Sequence, residues 1–147
     1  MDRKYLINNM HLVSMAMFAA SLPFGCFTCG DASINSLMVL LVGWMGMFKG
    51  GANSTWIANP LLAMSWLFFA LRSYVTASVV SLLASALAFS FLFCHGVATD
   101  EGGADHPIVS YQIGYWLWLL SCLIMFAGSF YSLLISKEKQ ESNTTAP

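Results

Sequence analysis

Along the chain, apolar runs alternate with short clusters of Gly, Pro, Asn and Asp. The first run covers residues 5–22, behind a basic start at Arg3 and Lys4. Asn8, Asn9 and His11 fall in its opening turns, where a headgroup layer can satisfy them, so it reads as an uncleaved first span. A removed leader is the competing reading, because Ala19 and Ser21 stand at cleavage-like spacing. Residues 22–33, LPFGCFTCGDAS, carry Pro23, Gly25, Gly30 and Asp31 and read as a turn. The next run, 34–48, would reach only about 22 Å as a helix, short of a hydrocarbon core of ~30 Å. Gly50 and Gly51 then break the pattern, and Trp56 reopens it. Asn59 before Pro60 reads as an N-cap followed by the first helical position, where a missing N–H costs nothing. The helix expected over 60–72 is again too short to span unaided.

Residues 74–93 form a full-length span, anchored at its start by Arg72 and Tyr74. Ala77, Ser81 and Ser85 recur every fourth residue and predict a face of small side chains for close helix packing within the monomer. Residues 94–112 make the longest polar loop, with His95, Asp100, Glu101, Asp105 and His106 but no Lys or Arg. Tyr111, Tyr115, Trp116 and Trp118 form an aromatic belt opening a last span that runs to about residue 135. SKEKQESNTTAP reads as a polar, disordered tail.

The basic residues decide how often the stretch 34–72 crosses. One net crossing puts Arg3, Lys4, Arg72, Lys137 and Lys139 on one side and leaves Lys49 opposite; two crossings divide the six evenly. The tendency of Lys and Arg to stay cytoplasmic favours one crossing. The expected fold is therefore all-α: an integral membrane helical bundle of four spans with a short re-entrant or interfacial helix over 34–48, five spans being the alternative. The bundle occupies 1–136, a polar cytoplasmic tail 137–147, and both termini are cytoplasmic.

Composition agrees. Of 147 residues, 58% are hydrophobic and 9% charged, well under the roughly one quarter of a soluble surface. A net charge of -1 gives no footprint for nucleic acid.

Four segments together carry a resemblance: GWMG at Gly43 to Gly46, WIANPLL from Trp56, DEGG from Asp100, and IGYWLWLLS from Ile113. Their succession, over residues 22–121, resembles an uncharacterised family of small bacterial multi-pass inner-membrane proteins. The resemblance implies a bacterial inner-membrane location and brings no activity with it. The four cysteines stand outside the pattern.

Candidate chemistry is sparse. Cys26 and Cys29 form a C-x-x-C just after the first span, the spacing of a reducible pair. The layout is similar to that of the DsbB-type quinone-linked disulfide oxidases, but the second outer cysteine pair and the expected arginine are missing. Cys94, His95, Asp100, Asp105 and His106 match no zinc spacing; a solvated acidic loop accounts for them, with His95 and His106 weak candidates only. Every Asp, Glu, Lys and Arg lies in a loop or at a span end, which argues against coupled transport. The serine faces (Ser78, Ser81, Ser85; Ser121, Ser129, Ser132) are glue between helices before they are a pore lining. If the start of the helix at Pro60 lies below the surface, Asn53, Asn59 and Pro60 would form a pocket for an anionic or polar group.

The function expected is that of a non-enzymatic accessory, scaffold or envelope-associated membrane component. A thiol oxidoreductase using Cys26 and Cys29, and an oligomeric channel or small-solute carrier, are the alternatives. No cofactor and no metal are expected. The expected partners are the lipid bilayer and a membrane protein or further copies of the chain.

Overall fold

A computed structural model describes residues 3–30, 32–49, 51–98 and 105–144. Four helices form the bundle: α1 (Arg3–Ser21), α3 (Ala58–Ala70), α4 (Tyr74–Ser90) and α5 (Ile113–Thr144). Between α1 and α3 lie the strands β1 (Gly25–Cys29) and β2 (Ala32–Asn35), the seven-residue helix α2 (Ser36–Val42), and 3-10 turns that lead through Gly51–Ile57 into α3. Between α4 and α5 lie a 3-10 turn, Phe91–Phe93, and the strands β3 (Gly96–Ala98) and β4 (Asp105–Tyr111).

The helices alternate in direction. Ser14 of α1 donates to the Ser121 carbonyl of α5 at 2.8 Å, and Met10 lies against Gly128 one turn further along, so α1 and α5 are antiparallel. Tyr115 of α5 donates to the Ala88 carbonyl of α4 at 2.9 Å. Trp66 of α3 packs edge-on against Phe18 and donates to Ser14 Oγ at 3.1 Å, while His11 stacks on Phe69 at 5.0 Å. The chain thus runs the length of the bundle once between residues 34 and 72, as α3.

Small residues are frequent at the helix interfaces, beside larger ones such as Leu62, Tyr115 and Met125. Ser14, Ser21, Ser65, Ser81, Ser121 and Ser129 are fully buried, as are Ala77, Ala84 and Ala88, while Leu, Met, Val and Phe face outward on all four helices. Most of the buried hydroxyls bond back to a carbonyl three or four residues earlier, which satisfies them without a partner helix. Ser129 Oγ and His11 Nε2 are buried without one; the opening turns of α1 therefore do not lend His11 the polar layer its position suggests.

The loops overturn the all-α expectation. They pair into one antiparallel sheet of order β2-β1-β4-β3, with Phe27 opposite Tyr111 and Thr28 opposite Ser110. The segment expected as a turn, 22–33, supplies β1 and the start of β2, whose Ile34 and Asn35 come from the run expected as one short helix, and the expected polar loop supplies β3 and β4. Two helical stretches, Tyr74–Phe93 and Ile113–Glu138, are long and apolar enough to cross a membrane. At 13 residues α3 is shorter than such a stretch, and α1 opens with RKYLINN, so four spans are not shown by length and composition. The tail expected as disordered continues α5 to Thr144. Asp31, Gly50, the Asp100 to Gly103 segment and residues 145–147 lie outside the described residues.

Candidate functional site

The sheet, α2 and the 3-10 turns gather at one end of the bundle, and glycines let them approach. A Cβ on Gly43 would strike the Trp56 ring at 2.5 Å, and one on Gly46 would strike the Asn53 amide. The GWMG segment is thus a cradle for the residues preceding α3. Trp56 donates through Nε1 to the Leu40 carbonyl at 3.1 Å, tying α2 to that cradle. Asn35 caps α2, its Oδ1 accepting from the Leu37 amide at 2.8 Å. On the other side, Gly114 of α5 admits the Phe24 and Gly25 carbonyls and the Ser36 hydroxyl, all of which a side chain there would displace.

These contacts leave a cavity of about 620 Å³ between α2, the 3-10 turns, β1 and the ends of α1 and α5. Its walls are mainly apolar, among them Phe18, Phe27, Val39, Trp56, Phe91 and Trp118. Among the described residues no Asp, Glu, Lys, Arg or His lines it. The polar lining groups differ in how far their bonds are satisfied. Ser21 donates to the Phe18 carbonyl at 2.6 Å and Thr55 to the Ala52 carbonyl at 2.6 Å. Asn59 Oδ1 accepts from Trp118 Nε1 at 2.9 Å. Ser36 is only 8% exposed, and its hydroxyl lies against Gly114 and beside the Cys26 thiol.

The residues singled out in the sequence divide accordingly. Asn53 and Asn59 line the cavity; Pro60 does not. Asn59 is not the N-cap. The helix begins at Ala58, prolonging a 3-10 turn, and the Asn59 side chain reaches across to α5 instead. Cys26 lines the cavity and Cys29 does not, and both thiols are free. They sit at opposite ends of a four-residue stretch of extended β1. Three residues of strand span roughly 10 Å, and a disulfide needs Cα atoms within about 7 Å. In this fold the pair does not bridge unless β1 unpairs. Burial pushes the Cys26 thiol up to about 12, opposed weakly by the Ser36 hydroxyl beside it. Burial also raises Cys29 and Cys94. None of these thiols has the lowered pKa of a redox-active cysteine.

His95 is exposed, and His106 lies in β4 opposite Val97 of β3. Among the described residues no three His, Cys, Asp or Glu come together as a metal site. The Asp100 and Glu101 positions lie outside those residues.

Sequence reasoning missed Ser36 and Trp118 as parts of the site. Ser36 carried no local signal, since a serine at the start of a short apolar run is ordinary. Trp118 was absorbed into the aromatic belt, although an indole N–H that is partly buried needs an acceptor. No protein-family model matches the chain, and no curated protein or solved structure matches it either.

Proposed function

We propose that the chain is a four-span protein of the bacterial inner membrane, a non-enzymatic accessory or envelope-associated component with a binding cavity at its outer end. The observation that carries this reading is the inverted distribution of side chains. Serine and alanine make up much of the buried surface between the helices, with a few large side chains such as Leu62, Tyr115 and Met125, while Leu12, Leu67, Leu82, Leu120 and Phe130 are among the many large apolar residues facing outward on all four long helices. Water would reject so large an apolar surface, whereas lipid solvates it and leaves small residues to mediate packing. α1 and α3 belong to the spanning bundle on this account. Each has its own outward apolar face, and each packs on a partner that qualifies alone by length and hydropathy. The shortness of α3 is made up by the 3-10 turn before it and by the protein around that turn, the setting in which irregular backbone is tolerated at depth.

The ends of the bundle carry different charge. The α3–α4 corner with Arg72, the start of α1 and the end of α5 share one end; the sheet with His95 and His106 occupies the other. Five of the six basic residues fall at the first end, which faces the cytoplasm by the positive-inside tendency. The resemblance noted in the sequence points to the same membrane. The absence of a lowered thiol pKa and the extended backbone between Cys26 and Cys29 favour the non-enzymatic reading over a thiol oxidoreductase.

Membrane extraction tests this. The expressed full chain should stay in the membrane fraction through alkaline carbonate and urea washes and need detergent to leave it. A chain that washes off, or that is monodisperse in buffer without detergent, would contradict the proposal.

A further inference from the structure

We infer that the cavity beside α2 holds one acyl chain of a lipid from the outer leaflet, whose headgroup stays outside at the level of the sheet. The inference rests on the four-span reading above and adds a ligand to it. Helix length gives the first reason. α3 has 13 residues, about 20 Å at ~1.5 Å per residue, against a hydrocarbon core of ~30 Å. With the α3–α4 corner at the cytoplasmic face, α3 starts roughly 10 Å short of the outer one. The cavity stands at that start. Asn59 in the first turn of α3, Phe18 in the last turn of α1 and Trp118 near the beginning of α5 all line it. It therefore reaches hydrocarbon depth, where lipid chains and not water surround the protein.

Second, the wall spends its hydrogen bonds on itself. Trp56 and Trp118 give their indole N–H groups to the Leu40 carbonyl and to Asn59 Oδ1, while Ser21 and Thr55 bond to carbonyls three residues earlier. What faces the chamber is mainly ring and methyl surface, from Phe18, Phe27, Ile34, Val39 and Phe91 among others. A headgroup entering there would exchange water for few bonds, whereas a hydrocarbon chain asks for none. Third, the way in is apolar. Met38 and Met45 line the cavity and are also 59% and 63% exposed, so they mark its mouth. Leu41 and Phe48 are exposed in the same segment, which continues the lipid-facing surface of the bundle. The volume of about 620 Å³ lies within the usual range for small-molecule sites, roughly 300–1,000 Å³, and gives room for one chain.

The test reconstitutes the full chain in vesicles of phosphatidylethanolamine and phosphatidylglycerol and maps photolabelling by mass spectrometry. Three probes are compared: a phosphatidylethanolamine with a diazirine at the end of one acyl chain, the same lipid with the diazirine on its headgroup, and the diazirine fatty acid alone. Phe27, Phe91 and Val97 line the cavity and are buried, so a lipid that merely surrounds the bundle does not reach them. The chain-labelled lipid should mark these three as well as outward residues such as Leu82 and Leu120, and the headgroup-labelled lipid should leave the three unmarked. Ala52→Phe and Val39→Phe each add a ring at a lining position. Each should lower the wall adducts about five-fold or more, because the ring takes the place of the chain, and leave the outward adducts unchanged. Outward adducts with none on the wall, equal wall labelling by the headgroup probe, wall labelling by the fatty acid alone, or undiminished wall labelling in both variants would overturn the inference. The four-span reading fails separately, by the absence of chain adducts on the outward faces of α1 and α3.

Discussion

Ser14 shows how a single side chain can join three helices. Its hydroxyl donates to the Ser121 carbonyl and accepts from Trp66 Nε1, so α1, α3 and α5 meet at one buried polar point. With the Tyr115–Ala88 and Trp118–Asn59 bonds, that junction fixes register where packing alone would allow sliding. Cys26 is a different case, a thiol placed by β1 where water does not reach it. Its ordinary value is 9.0, and burial lifts it to about 12. The folded state therefore holds a proton that the unfolded chain releases, so this contribution to stability is complete below the ordinary thiol range. It is lost as pH rises from about 9 towards 12. Thermal unfolding in detergent should show a midpoint that falls between ~pH 8 and ~pH 10.5, and Cys26→Ala should flatten part of that fall. An identical alkaline fall in parent and variant would mean that the thiol is not buried as described.

At the scale of elements, the helices were legible and the sheet was not. Residues 74–93 coincide with α4 and its closing 3-10 turn because a long apolar run with small residues every fourth position admits little else. β1 was hidden. GCFTC sits between Pro23 and Gly30, and those breakers spoke more loudly than Phe27 and Thr28. Its partner β4 lies some eighty residues away, beyond the reach of any local pattern. The one available signal was β4 itself, where Ile108, Val109 and Tyr111 are good strand formers. The cavity was half legible: Asn53 and Asn59 stood out as amides beside a glycine break, whereas Ser36 acquires its meaning only once Gly114 brings α5 against it. The corner between α3 and α4 is another element that sequence did not announce. Arg72 adopts a φ of 60°, and the Ser73 and Arg72 amides bond back to the Phe68 and Phe69 carbonyls, the pattern of a Schellman end. A side chain pays roughly 1–2 kcal/mol for that backbone, which glycine does not. Arg72→Gly should therefore raise the stability of the purified protein by roughly 1 kcal/mol. A lower unfolding midpoint would show that Arg72 makes contacts that outweigh the strain.

For the molecule as a whole, the proposed topology sets the sheet at the outer face of the membrane and the α3–α4 corner at the cytoplasmic face, joined by a single passage of α3. Ala32 of β2 is exposed at the sheet end, and Arg72 is exposed at the α3–α4 corner. If residues 34–72 crossed twice, or if only α4 and α5 spanned, these two positions would share a side. The most direct test is labelling of single-cysteine variants, with Cys26, Cys29, Cys94 and Cys122 changed to serine, by a membrane-impermeant maleimide on intact bacteria stripped of the outer barrier. Ala32→Cys should label at once, and Arg72→Cys only after the membrane is opened. Labelling of both from the same side would contradict the account.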